Sequence, residues 1–362
     1  MAGFKRKLFY LGGFDPRGGR YYHALFAQEL ARAQGPAWLG DRQRRKGGCG
    51  WLAGDGAQPA CLCDCTFLAW DDLVRRHWPR GLALGWGLWR AYGGFARHLR
   101  WGALHGARPA ALIALLWPGL WLLLAPVEIG LAAAALVALG GVALGAAGGL
   151  LLALLWGRGL RQAQAPWLAR WLIFNDRCAR RLPADLDARL TLFAQAVEEA
   201  LAQEAWDEVL LVAHSQGAVW AVEVLARVLA RRGGALPAGF ALVTLGGCIP
   251  LLAARRDAAG FAAALARVRA ADPAWLDLAS PADGACAGLM PPGSAPPPPR
   301  FTQRNPRWYR YAATRGGQDR LAVHFNYLRR LDRPSPLDYP ALALAAQPLA
   351  ASIAAFDAAH AG

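Results

Sequence analysis

The chain has 362 residues, enough for one large α/β domain with an insertion or for two modest domains. Its hydrophobic fraction of 55% exceeds what a soluble globule needs, and its formal charge of +15 comes almost wholly from arginine, with lysine only at Lys5, Lys7 and Lys46. Such a charge suits nucleic acid or anionic lipid, but the chain has no nucleic-acid module, no repeated basic–aromatic platform and no phosphate-binding lysine loop, so no nucleic acid is expected and lipid is favoured.

The first predicted element is a strand over residues 7–11 (Lys-Leu-Phe-Tyr-Leu), followed by the loop Gly12-Gly13-Phe14-Asp15-Pro16-Arg17-Gly18. Residues 5–13 are too short an apolar run for a secretory signal, so the seven cysteines are expected to be reduced thiols. Arg42, Arg44, Arg45 and Lys46 read as a solvated basic loop. Cys61-Leu-Cys63-Asp-Cys65, with Cys49 upstream, runs into Thr66-Phe67-Leu68-Ala69-Trp70 and reads as a strand. Alternation along a strand puts the three thiols on one face, a poor start for a tetrahedral cage, so neither metal nor cofactor is expected. Asp71-Asp72 ahead of Arg75, Arg76 and His77 suits a helix N-terminus.

Between Arg108 and Arg158 the one charged side chain is Glu128. Two apolar stretches, residues 109–125 and 130–156, flank Ala125-Pro126-Val127-Glu128, and a helix needs about 20 residues to cross a bilayer core. The pattern predicts a two-helix transmembrane hairpin with its polar turn at Glu128 and a tolerated kink at Pro118. Arg90, Arg97, Arg100 and Arg108 precede it and Arg158, Arg161 and Arg170 follow it, so both flanks belong on the cytoplasmic side. Gly141, Gly145 and Gly149 recur every four residues; that face permits close helix approach within the hairpin or in a homo-oligomer, or is small-residue filler. Nine of the sixteen tryptophans lie between Trp78 and Trp171, and with nearby arginines they read as interfacial anchors, which makes 80–104 and 158–174 candidate surface helices.

Residues 209–217 (Val-Leu-Leu-Val-Ala-His-Ser-Gln-Gly) predict a buried strand, a tight turn with Ser215 at its tip, and a helix through Val228. This strand–Ser–helix pattern is that of a nucleophile elbow, though Ser215 would serve equally as an ordinary helix cap. An acyl-transfer serine needs a base and an acid that orients it. His324 in Leu-Ala-Val-His-Phe-Asn-Tyr is the candidate base, His360 being close to the C-terminus. For the acid, residues 274–284 read as a short strand entering a loop; Asp283 on the loop is favoured, with Asp277 inside the strand as the alternative. An oxyanion needs converging backbone N–H groups. Gln216 would supply one and the Gly12–Gly18 loop the other, through Phe14 or, next, Gly13; the loop would also do as a plain connection. Residues 287–301 are proline-rich and read as an extended surface loop.

Gly12-Gly13-Phe14, Ala213-His214-Ser215-Gln216-Gly217, Asp283 and His324 together resemble the serine α/β-hydrolases, notably their lipase and esterase branches. More narrowly, the chain is similar to a bacterial group of membrane-inserted α/β-hydrolase-like proteins with no assigned substrate. The resemblance covers residues 5–34 and 208–330 and departs from the fuller pattern at Ala213, where glycine is usual. It implies an α/β fold, a mostly parallel sheet flanked by helices, with residues 1–104 and 158–362 forming the two parts of a hydrolase domain around a transmembrane hairpin at 105–157. It also implies Ser215 as nucleophile, His324 as base, Asp283 as acid, and the Phe14 amide in the oxyanion hole. The expected function is cleavage of a lipid or other acyl ester at the cytoplasmic face of the bacterial inner membrane. A soluble ester, thioester or amide as substrate, or a non-catalytic scaffold, is the alternative.

Overall fold

Nine strands form in the computed structural model, which describes residues 3–32, 36–56, 58, 60–104, 109–293, 295–306, 323–330 and 334–360; most are apolar runs, but Arg44 and Arg45, expected in a loop, lie in a short edge strand. The strands are β1 (Phe4–Leu11), β2 (Trp38–Leu39), β3 (Gln43–Arg45), β4 (Gly48–Gly54), β5 (Cys61–Leu68), β6 (Glu208–His214), β7 (Phe240–Leu245), β8 (Ala274–Leu278) and β9 (Phe301–Arg304). Strands β5-β1-β6-β7-β8-β9 are parallel neighbours, and β4 joins antiparallel outside β5, itself flanked by β2 and β3. The fold is thus α/β, with a mixed, mostly parallel sheet. Strands from before and after the apolar segment share that one sheet.

Helices cover both faces, as parallel strands require. In chain order they are α1 (Gly19–Ala31), α2 (Asp71–Arg76), α3 (Leu82–His98), α4 (Pro109–Gly119), α5 (Ala125–Gln162), α6 (Ala165–Arg180), α7 (Ala184–Leu201), α8 (Gln216–Arg231), α9 (Ile249–Ala253), α10 (Ala259–Ala270), α11 (Tyr339–Leu344) and α12 (Leu349–Ala358). Strand alternation sorts the core. Phe9, Leu11, Val209, Leu211 and Ala213 face a cluster built with α2, α3, α6, α7, α8 and α10. Leu8, Tyr10, Leu210 and Val212 face the opposite cluster, with α1, α11 and α12. At the start of β1, buried Arg6 pairs with Glu208 at 2.8 Å and donates to the carbonyls of Ala343, Ala345 and Gln347, tying the two central strands to the C-terminal helices.

The apolar segment departs from expectation. In place of two helices parted at Ala125–Glu128, there is one apolar helical element, Leu112–Leu160, long enough to cross a membrane, and none of its most apolar window is buried. Residues 125–128 are helical: Pro126 directly follows a wide π turn at Leu120–Leu124, and the Trp121 carbonyl five residues before it accepts from the Trp156 indole instead. Glu128 is therefore on the flank of the helix and exposed. The backbone breaks instead at Gly141, with φ 82° and ψ 176°, a conformation open only to glycine. The limbs on either side lie against each other. The Trp156 indole donates to Trp121 O at 2.8 Å, Trp117 donates to Ala163 O at 2.8 Å, and side chains on Gly145 or Gly149 would meet Val137 and Ala133. Gly145 and Gly149 thus face the other limb, while Gly141 is the bend.

The element is rooted in the domain. Leu115 joins the core, and the Tyr92 hydroxyl on α3 bridges Leu115 O at 2.9 Å and the Gly119 amide at 2.8 Å. A second correction concerns 158–174. This stretch is not a surface helix: α6 is buried along Leu168, Ala169, Trp171, Leu172 and Phe174, packed against α3 and α4. Of the interfacial candidates, Trp86, Trp89 and Trp101 are exposed.

Candidate active site

Chain order reverses beside β1: the chain leaves β1 for β5 on one side and later returns as β6 on the other. The crevice at the carboxyl ends of such a pair is where open α/β sheets place ligands. The register pairs Leu11 with Ala213, so the loop after Leu11 and the turn after Ala213 emerge side by side. Ser215 occupies that turn with φ 56° and ψ −123°, a left-handed conformation that a non-glycine residue holds only when its surroundings enforce it. Gly217 explains the constraint, because a Cβ there would fall on the carbonyl oxygens of Leu11 and Gly12. Ala213, fully buried, shows that the preceding position tolerates a methyl. Gly13 presses on the serine: a Cβ on it would lie 2.8 Å from the Ser215 Cβ.

Among the described residues no hydrogen bond takes up the amide of Phe14 or of Gln216, and both flank the serine. The Phe14 ring is buried and stacks on Trp78 with centroids 5.6 Å apart. Two indoles of α6 brace this region. Trp167 Nε1 donates to Phe14 O and Trp171 Nε1 to the Gln216 side-chain oxygen, each at 2.9 Å.

Asp283 sits on the loop after β8, with Ser280 held by a 2.9 Å bond from its amide to the Tyr327 hydroxyl. Its Oδ2 lies 2.7 Å from His324 Nδ1, and both side chains are buried. Burial works to raise the Asp283 pKa, but the His324 charge and hydrogen bond, the Ala285 amide and the Cys286 thiol outweigh it and hold the carboxyl below the usual range. An ionised Asp283 accepts from Nδ1–H, which leaves Nε2 as the free base of the ring. Nε2 is buried and, among the described residues, has no hydrogen-bond partner. The contact between Ser215 and His324 is therefore not closed; the serine hydroxyl lies 4.0 Å from Cys248 Sγ. Burial pushes the Cys248 thiol up to about 12, so it stays protonated.

Asp277 points elsewhere. It accepts from Thr244 Oγ1 at 2.6 Å and Gln303 Nε2 at 2.7 Å, and burial lifts it to about 6 against those two bonds. It braces β7, β8 and β9 rather than meeting the histidine. His360 is likewise remote, bonded to Phe356 O at the end of α12. Cys61, Cys63 and Cys65 share a buried face of β5, with the last two sulfurs 3.4 Å apart.

Several site residues carried no signal of their own. His214 Nε2 bonds His324 O at 2.9 Å and fixes that segment, while burial and the His324 charge push its pKa down to about 3, so it is neutral. Trp167 and Trp171 read as membrane anchors in sequence, yet they belong to this site. Beside Cys248 an apolar pocket opens, lined by Leu112, Leu115, Trp171, Leu251, Cys286 and Met290, with about 520 Å³ of atom-free space including its mouth. Two of those residues come from the root of the apolar helical element. No protein-family model matches the chain, and no curated protein or solved structure matches it significantly.

Proposed function

We propose that the protein is a membrane-anchored serine hydrolase that cleaves a carboxylic ester of a lipid or another acyl ester. The carrying observation is the buried Asp283–His324 bond beside a left-handed Ser215 on which Gly13 presses. In this reading His324 Nε2 removes the Ser215 proton as Oγ attacks the acyl carbonyl. The amides of Phe14 and Gln216 hold the oxyanion. Collapse expels the alcohol, which takes its proton from His324, and water then hydrolyses the acyl-enzyme by the same route. Rotation of the Ser215 side chain toward the unpartnered Nε2 closes the remaining contact, a tightening common when substrate binds. The resemblance to serine α/β-hydrolases rests on these same residues.

The apolar pocket next to Ser215 supports an acyl group as the part retained on the enzyme. Membrane anchoring is supported by the apolar limbs, whose outward leucines, Leu131, Leu139, Leu151 and Leu155 among them, are exposed. Twenty residues on each side of Gly141 amount to about 30 Å of helix, the thickness of the hydrocarbon core. Both roots are rich in arginine, which favours the cytoplasmic face of a bacterial inner membrane for the domain.

The test is covalent labelling with a fluorophosphonate in native membranes. Wild type is expected to label, and Ser215→Ala to lose labelling and ester hydrolysis by at least about 10³-fold, as for other catalytic serines. Folded wild-type protein that does not label at Ser215 would leave a non-catalytic scaffold as the better reading.

A further inference from the structure

We propose that a second pocket, on the alcohol side of Ser215, binds an anionic group, phosphate or carboxylate, carried by the alcohol portion of the ester; this rests on the hydrolase reading. The pocket holds about 780 Å³ of atom-free space including its mouth, and its lining includes Arg17, Trp78, Trp167, Arg170 and Phe325 together with Asp15, whose carboxylate is paired with Arg17. Its walls adjoin the chemistry along the chain and through one hydrogen bond. Phe325 follows the candidate base, Asp15 follows the candidate oxyanion residue, and Trp167 bonds the Phe14 carbonyl. An alcohol leaving toward His324 would leave on this side, while the acyl group lies in the apolar pocket behind Trp171. Helix α6 separates the two, giving Trp167 and Arg170 to one and Leu168 and Trp171 to the other.

The charge in this pocket is unbalanced. Several buried or half-buried arginines elsewhere meet carboxylates, as Arg6 meets Glu208, Arg255 meets Asp176 and Asp257, and Arg189 meets Asp72, while half-buried Arg269 is taken up by the carbonyls of Pro292 and Pro296. Arg17 is likewise matched, by Asp15 at 2.7 Å. Arg170 is different. Its guanidinium lies over the Trp78 ring at 4.7 Å and its Nε donates to Pro79 O at 3.0 Å, but among the described residues no carboxylate pairs with it or with Arg80. Burial and the repulsion of Arg80 both act against its charge. A half-buried cation whose terminal N–H groups engage none of the described residues, set in a cavity, is relieved by an incoming anion. A guanidinium fork fits phosphate or carboxylate with two bonds. The N-terminal turn of α6, at Gln164 and Pro166, lines the same pocket, so its dipole adds to the attraction.

The test is binding to the full chain in phosphatidylcholine vesicles, in the Ser215→Ala background so that nothing turns over. Calorimetric titration would compare 1-oleoylglycerol 3-phosphate with 1-oleoylglycerol. The phosphate-bearing probe is expected to bind about tenfold more tightly, a difference of about 1.4 kcal/mol. Arg170→Ala and Arg170→Glu should erase that preference, and Arg170→Lys should keep part of it. Equal affinities in the parent, or a preference that survives both Arg170→Ala and Arg170→Glu, overturns the inference. Where loss of packing on Trp78 unfolds Arg170→Ala in a thermal melt, Arg170→Gln keeps the stem and reads the charge alone. Displacement of the probe by millimolar inorganic phosphate assigns recognition to the phosphate itself; persistence assigns it to the acylated headgroup. Failure of fluorophosphonate labelling sinks the hydrolase reading, whereas loss of preference with labelling intact sinks this pocket.

Discussion

The crevice between β1 and β6 and the limbs around Gly141 are made from the same small and aliphatic residues, yet they place them oppositely. In the crevice every apolar group meets another part of the protein: β6 is buried along its whole length, and Gly217 exists to let a helix touch the carbonyls of Leu11 and Gly12. In the limbs of the one apolar element, glycines let the two sides of the bend approach, but leucines such as Leu131 and Leu139 face outward, exposed. Hydrophobicity alone does not tell whether the partner is the protein or something outside it. What separates the two regions is where the backbone is strained. The crevice holds strain at a serine, and the limbs bend at a glycine, which holds none.

The comparison can be broken at its firmest point first. Gly217→Ala puts a methyl on the backbone carbonyls of Leu11 and Gly12, so the expected loss is about 3 kcal/mol, the upper end for overpacking. A thermal melt or limited proteolysis reads it; a melt like wild type would mean that strand and helix are not held as closely as described. Next comes the outward face of the limbs. Leu131 lies ten residues before the bend, near mid-bilayer for a limb of this length, and Leu131→Arg should oppose insertion by about 2.5–3.5 kcal/mol. Alkaline extraction should then release more of the variant than of wild type, while fluorophosphonate labelling of the domain persists. Equal extraction of both would remove the membrane from the proposal. The smallest effect sharpens the contrast in strain. Ser215→Gly should be more stable than Ser215→Ala by about 1 kcal/mol, since relief of the left-handed backbone exceeds the entropy cost of glycine. Chemical denaturation of the two inactive variants measures this, and an equal or lower stability for the glycine variant would place no strain at the turn.

Much of the crevice was legible in the chain. The run Val209–Ala213 is apolar without alternation, which marks a strand buried on both faces, and Ser215 stands between it and an amphipathic helix. Asp283 was separable from Asp277 because a residue in mid-strand points into the sheet layers while one past the strand end is free to turn. The limbs were misread at Ala125–Glu128 because proline usually ends a helix, whereas here a π turn accommodates it within one. Gly140-Gly141 was the better turn signal, masked by three further glycines nearby. Trp167 and Trp171 were misread for a related reason: an indole suits an interface and a binding site equally, and its neighbours in sequence are not its neighbours in space.

By itself the sequence determined which residues are capable of chemistry and in what order they come, because strand period, turn residues and the scarcity of histidine after Ser215 are local properties. The tertiary structure decided which of them meet. Only strand order brings the Gly12–Phe14 loop beside a serine about 200 residues later, pairs Asp283 with His324, and sets an apolar pocket and the half-buried Arg170 on opposite sides of one helix. Those are contacts between distant segments, fixed by packing and register, and no local pattern encodes them.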